Sequence, residues 1–147
     1  RDQPRSRGLG DVYKRQLRQV NIRDRAQTVS PVLAGDDILA LRGIGERIHI
    51  DDNILEYIVR IVEATRHDEN IAIGSSMRGA LALTRCARIW AASDGRGYVV
   101  PDDVKDLAVA VLSHRIKLTA EATFAGLTTD EAISRMLETV TAPSLGA

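Results

Sequence analysis

The sequence predicts a mainly α-helical fold: a small helical bundle with at most one minor two-stranded hairpin. Apolar residues recur every three or four positions over most of the chain from residue 36 onward. Acidic residues, serines, threonines and one proline stand where these patterns begin, as they do at helix N-termini. The longest clean apolar run, residues 107–112, is far too short to cross a membrane.

The first two predicted helices begin at aspartates, which cap helices by accepting hydrogen bonds from free N–H groups. Asp36 opens the first helix, and Asp51 or Asp52 opens the second, which ends near Arg66-His67. The first helix carries apolar residues at helical spacing: Ile38, Leu39, Leu41 and Ile44. The second is the most amphipathic helix in the chain, with the apolar stripe Ile54, Leu55, Ile58, Ile61, Val62 and Thr65.

The third predicted helix is capped by Ser75 or Ser76 and runs to about Ser93, where Asp94-Gly95 stops it. Small residues in its stripe allow close packing against a neighbouring helix. The residues that we expect to face the core are Ala80, Leu83, Ala87, Trp90 and Ala91. Cys86, the only cysteine, excludes an internal disulfide, and we expect it to be a buried structural thiol.

Two more helices complete the prediction. Pro101-Asp102-Asp103 opens the fourth, with proline in the first turn and acids near the positive end of the helix dipole. Thr128 or Thr129 caps the last, whose apolar face is Ile133, Met136, Leu137 and Val140. Residues 98–100 and 116–118 are short apolar stretches that could pair as a hairpin.

The chain ends are interpreted separately. Residues 1–16 show no helical or strand period, and residues 5–16 resemble the in-frame translation of a transposase-type sequencing adapter. We therefore expect a non-native tail there, with a basic native tail as the alternative. We assign residues 17–35 to a linker or the end of a preceding core domain, residues 36–143 to the helical domain and residues 144–147 to a tail.

Composition argues against several function classes. Twenty basic and twenty acidic residues cancel, and aromatic residues make up only 3% of the chain, so a nucleic-acid partner is not expected. His49, His67 and His114 are widely separated, which disfavours a metal site. No Gly-rich phosphate loop ending in Gly-Lys-Ser/Thr occurs. We expect no catalytic residue within this chain.

One segment stands out at the start of the third predicted helix, residues 74–80. It places Arg78 in the first turn, where the helix dipole disfavours a cation by a few tenths of a kcal/mol, as an order of magnitude. Free N–H groups and a guanidinium converge at such an end, which suits an anion. A solvated surface arginine with no role is the alternative. Arg85 and Arg88 lie further along the helix and either extend its basic face or pair with acids.

Several segments occur together in a fixed order and spacing. They are His49-Ile50 and residues 55–59, 64–66, 74–80, 91–96, 98–105 and 111–115. Together they resemble the C-terminal lid of the MoxR family of AAA+ ATPases, over about residues 33–143. That family more often has Ala-Ser-Pro-Arg where this chain has Ser75-Ser76-Met77-Arg78. Met77 therefore replaces a first-turn proline, while the arginine is kept.

The resemblance implies that Arg78 is the sensor-2 residue, which reaches the phosphates of ATP, with Gly74 and Ser76 beside it. It implies a separate α/β core that carries the phosphate loop and holds Mg²⁺, so ATP hydrolysis would need the intact protein. It also implies a ring, commonly a hexamer, with chaperone-like activity and partners that carry a von Willebrand factor A domain. We also expect a cytoplasmic protein, and the short apolar runs of the chain predict no membrane span.

Other readings remain open from the sequence. One is the lid of a related AAA+ machine such as a chelatase subunit. A second is a helical DNA-binding module that uses the third helix, and a third is a stand-alone interaction bundle with no nucleotide role. The near-zero charge and the alanine-rich stripe of the third helix count against DNA binding.

Overall fold

The computed structural model describes residues 29–144 and confirms the mainly helical fold. By internal contacts the chain divides after Ile38; helix α1 (Gly35–Arg47) begins in the first unit and ends in the second. The remaining elements lie in the second unit. They are α2 (Asp52–His67), β1 (Ile71–Ile73), α3 (Met77–Ser93), α4 (Pro101–Leu112), a 3₁₀ turn (Ser113–Arg115), β2 (Lys117–Leu118), α5 (Ala120–Phe124) and α6 (Thr129–Thr139).

The assignments for residues 1–16 and for most of the linker and tail fall outside the described residues. The short helix α5 carries no strong apolar period and was not predicted. Thr119 caps it by accepting a hydrogen bond from the Ala122 N–H. Among the described helices, none is long and apolar enough to span a membrane.

The core of the second unit lies where α2, α3, α4 and α6 meet. Alanines at 87, 91 and 108 are fully buried, and their small side chains let α3 and α4 approach closely. Larger side chains fill the rest of the interior: Tyr57, Ile58, Ile61, Leu83, Val104, Leu112 and Ile133. The predicted stripes of α2, α4 and α6 supply most of these residues.

Two predictions for α3 are wrong. Trp90 is 46% exposed, and Cys86 is exposed rather than a buried structural thiol. The buried positions of α3 are spaced by three or four residues, Gly79, Ala80, Leu83, Ala87 and Ala91, and this narrow stripe leaves both side chains outside it. Only glycine, alanine and leucine face the core because the neighbouring helix packs close.

The predicted hairpin is also wrong. Residues 98–100 do not pair with β2; instead the Val99 N–H donates to His49 O at 3.0 Å, and the His49 N–H donates to Gly97 O at 2.8 Å. Tyr98 thus forms a bridge with the segment between α1 and α2. The antiparallel partner of β2 is β1, with Ile71 opposite Leu118.

Helix starts agree with the predicted caps in part. Asp51 accepts a hydrogen bond from the Asn53 N–H, and Thr128 forms a capping box with Glu131. Asp36, in contrast, is not the N-cap of α1, because that helix already begins at Gly35. The carboxylate of Asp37 accepts from the Ala34 N–H instead, so the neighbouring acid satisfies that free donor.

An ion pair fixes the connection between α3 and α4. The Arg96 guanidinium donates to both carboxylate oxygens of Asp103, at 2.8 and 2.6 Å, and Asp103 also accepts from the Val100 N–H. Burial alone would raise the pKa of Asp103, but these hydrogen bonds outweigh it and hold the pKa below its ordinary value. The charged pair therefore stabilises the fold while also capping α4.

We expect Asp103→Asn to lower the free energy of unfolding at neutral pH by about 1–3 kcal/mol. Because the folded pKa of Asp103 is depressed, its stabilisation is present above the unfolded pKa near 4 and is lost as pH falls through the folded value. Urea unfolding between pH 2 and 7 measures this. Asp94→Asn, the exposed partner of Arg96, is the control and should cost less than about 1 kcal/mol. Equal losses of unfolding free energy in the two variants would contradict a special stabilising role for the Arg96–Asp103 pair.

Candidate functional site

The loop between β1 and α3 is held against the C-terminal end of α2. The Ser75 N–H donates to the Thr65 hydroxyl oxygen at 2.8 Å, and Arg66 Nε donates to the Ser75 carbonyl at 3.0 Å. The Thr65 hydroxyl in turn donates to Val62 O at 2.6 Å, within α2. Thr65 and Ser75 are both fully buried. Two consecutive residues of α2 therefore satisfy both backbone groups of Ser75.

Glycine is required at two positions around this loop because the chains approach closely. A β-carbon on Gly74 would lie 2.7 Å from the Arg66 Cα and from the Thr65 carbonyl oxygen. A β-carbon on Gly79 would overlap the Ser75 hydroxyl and lie 3.1 Å from Leu112. Larger residues at either position would push the start of α3 away from α2 and α4.

This packing fixes where the predicted site residues lie. Arg78 is the second residue of α3 and is exposed, and among the described residues it has no hydrogen-bond or ion-pair partner. Ser76 occupies the N-cap position, but its side chain makes no capping hydrogen bond, so the predicted serine cap is not formed. The Ser76 carbonyl accepts from the Gly79 N–H at 2.8 Å.

The structure brings Gly74, Ser76 and Arg78 to the same end of α3. The guanidinium of Arg78 has no partner among the described residues, the Ser76 hydroxyl makes no capping hydrogen bond, and α3 has no acidic residue in its first turn. Such an end is suited to a phosphate or another oxyanion. Over residues 29–144, no group of three or more histidine, cysteine or acidic side chains could hold a metal ion.

Sequence reasoning placed Thr65 in the core stripe of α2 but missed its role in holding the loop. A threonine at the end of an otherwise aliphatic stripe was the available signal, because a buried hydroxyl needs a partner. Arg66 was assigned only to the helix end, where cations are common, and nothing in its spacing indicated Ser75 as its acceptor. Both roles depend on the turn that follows α2.

Comparison with known proteins identifies this arrangement. The profile of the AAA lid domain matches residues 63–136, which include the loop, Arg78 and the helices that pack behind them. The chain belongs to the AAA lid domain family. The lid was predicted from segments along the chain, and the match covers in full the five of those segments that lie between residues 64 and 115.

Relatives of this AAA lid domain support the MoxR resemblance. Over 125 residues it is 34% identical to Chaperone MoxR1 of Mycobacterium tuberculosis, covering 79% of this chain and 33% of that protein. Over 117 residues it is 37% identical to protein YeaC of Bacillus subtilis, covering 80% of this chain and 37% of YeaC. This chain therefore spans little more than a third of the curated relatives that it matches. Its lid is of the MoxR type.

A solved structure has the same fold. A candidate ATPase from Cytophaga hutchinsonii superimposes on the lid with a TM-score of 0.72 and 29% sequence identity. The match covers 88% of this chain and 41% of that protein. The helical arrangement described above is thus shared with a longer protein.

The Thr65–Ser75 contact gives a stability prediction for the lid. Thr65→Val keeps the shape of the side chain but leaves the buried Ser75 N–H without its acceptor, which should cost about 1–3 kcal/mol of unfolding free energy. Thr84→Val is the matched control, because the Thr84 hydroxyl bonds only to Ala80 O within its own helix. Chemical denaturation of the two variants measures the difference, and a Thr65→Val cost no larger than that of the control would contradict it.

Proposed function

We propose that this lid senses ATP in an intact MoxR-type ATPase, with Arg78 as the sensor-2 residue that contacts the phosphates. The observation that carries this proposal is the position of Arg78, an exposed arginine in the first turn of α3 with no partner among the described residues. The loop before that turn is held to α2 by the hydrogen bonds of Ser75. An arginine held this way can meet an anion without first losing another partner, and Gly74 and Ser76 line the same end.

The residues on this chain fit one side of a nucleotide site. ATP would supply the transferable phosphoryl group and its charge, with Mg²⁺ held by a core domain that this chain does not include. Arg78 would donate hydrogen bonds to phosphate oxygens and stabilise the charge on them. Ser76 would contribute a hydroxyl, and the absence of a side chain on Gly74 keeps the loop on α2. The phosphate loop would belong to the core.

Coupling between nucleotide and protein movement would follow from the anchoring of the loop. Ser75 is hydrogen-bonded to both Thr65 and Arg66 of α2. A displacement of Arg78 on contact with phosphate would therefore move α2 and α3 together rather than the loop alone. We further propose that the intact protein works as a ring, commonly a hexamer, and remodels partner proteins, including those with a von Willebrand factor A domain. Membership of the AAA lid family supports the ring, and the relative named Chaperone MoxR1 supports remodelling, whereas the hexamer and the von Willebrand factor A domain rest on the family resemblance.

Arg78→Ala in the intact protein tests the assignment. Loss of a positioned cation from the phosphates should lower the rate of ATP hydrolysis by about a hundredfold. Phosphate release measured under saturating ATP reports this rate. Arg135→Ala, which removes an exposed arginine from α6, is the control and should leave turnover unchanged.

The fold of the Arg78→Ala variant should survive, because the side chain is exposed and has no partner in the described structure. Circular dichroism and a thermal melt check this. Normal ATP turnover by a folded Arg78→Ala variant would remove the sensor assignment and leave the lid with a purely structural role in the ring.

A further inference from the structure

A second basic site lies on α1 and α3, away from the loop that holds Arg78. The C-terminal half of α1 and the middle of α3 form a cleft of about 560 Å³, a size typical of binding sites. Among the residues that the structure describes, its lining consists of Arg42, Gly45, Glu46, Arg85, Arg88 and Ile89. All six residues belong to the unit that starts at Leu39.

The contact between Gly45 and Ile89 explains why these arginines converge. A β-carbon on Gly45 would overlap the Ile89 Cδ1, so the two helices lie close together there. Arg42 lies almost one turn before Gly45 on α1, and Arg85 lies about one turn before Ile89 on α3. Both guanidinium groups therefore belong to the same cleft, although they come from different helices.

The charges in the cleft are not balanced within the described structure. Three arginines share the lining with one acid, Glu46, and the ion pairs found over residues 29–144 both involve Arg96. Arg88 is half-buried, and its Nε is a buried donor with no hydrogen-bond partner. A buried N–H of a charged group normally has an acceptor, so this atom points to one that the described chain does not supply.

Exposed apolar side chains occur on the same two helices, and one of them, Ile89, lines the cleft. Leu41 and Ile44 on α1 are exposed, as are Ile89 and Trp90 on α3. Arginine and tryptophan are enriched in protein–protein contacts, where one partner covers charged and apolar surface together. The mixture of charge and apolar surface therefore favours a peptide segment as the occupant.

We propose that the α1–α3 cleft binds an acidic segment of a separate protein partner, with aspartate or glutamate carboxylates on Arg42, Arg85 and Arg88 and an apolar residue against Ile89. This site does not depend on the nucleotide role of Arg78, which lies seven residues before Arg85, about 10 Å along the helix. From the sequence alone, Arg85 and Arg88 could either extend the basic face of the helix or pair with acids of the same chain. The proposal gives them a role in binding a partner.

The test measures binding of a labelled peptide to the whole 147-residue chain by fluorescence anisotropy. The probe alternates aspartate with leucine, and a second peptide carries lysine in place of aspartate. The chain should bind the acidic peptide and not the basic one. The double variant Arg42→Gln/Arg85→Gln, at two exposed positions, should weaken binding by about tenfold or more because two charge-assisted contacts are lost.

Three further variants sharpen the result. Arg135→Gln on α6 removes the same charge elsewhere and should leave affinity unchanged, as should Arg78→Ala. Arg88→Lys keeps the charge but loses the planar donor group, so it should weaken binding if the buried Nε meets a carboxylate. A thermal melt of each variant confirms that the fold is intact.

Several outcomes would overturn the proposal. They are failure of the chain to bind the acidic peptide, or equal weakening by Arg135→Gln and by the cleft variants. Tighter binding of pyrophosphate than of the peptide, measured by calorimetry, would replace the protein partner with a phosphate ligand. Binding by this chain but not by the intact protein would mean that the cleft is covered within the protein itself. Loss of ATP turnover in Arg78→Ala bears on the nucleotide role alone.

Discussion

The hydrogen bond from the Ser75 N–H to the Thr65 hydroxyl is the contact on which the candidate site depends. Both residues are buried, so any loop conformation that left the Ser75 N–H without an acceptor would cost free energy. The hydrogen bond therefore selects one conformation of the loop. Arg66 reinforces that position by donating to the carbonyl of the same residue. The direction in which α3 leaves the loop, and with it the place of Arg78, follows from this junction.

Close packing behind the junction keeps that geometry fixed. Gly79 lies against both Ser75 and Leu112, and the alanines of α3 allow α4 to approach, so the first turn of α3 has little room to shift. Arg78 can then stand exposed at a helix end that disfavours a cation. The small cost of that placement is an order of magnitude below the stabilisation that a packed helix face provides. A charge held in an unfavourable place by a rigid support is typical of a binding site.

Much of this lid was predictable from the sequence, and the failures have physical reasons. The helices were found because their 3.6-residue period and their caps are local signals, as at Asp51 and Thr128. The strand pairing failed because short strands choose partners through the tertiary fold, which brought β2 to β1 and Tyr98 to His49. Trp90 was misplaced because periodicity marks a face but not how narrow that face is. Arg78 was proposed as a site residue from the sequence and stays a proposal, while the contacts of Thr65 and Arg66 with Ser75, in the loop before it, needed the structure.

We propose that in the intact protein Thr65 affects ATP hydrolysis by holding the loop before Arg78. A double-mutant cycle in the intact protein tests it most directly, with ATP turnover measured for Thr65→Val, Arg78→Ala and the double variant at a temperature where all remain folded. We predict that Thr65→Val lowers turnover in the wild-type background and has little further effect once Arg78 is alanine. Effects that simply add would show that the two residues act independently, and would contradict the account.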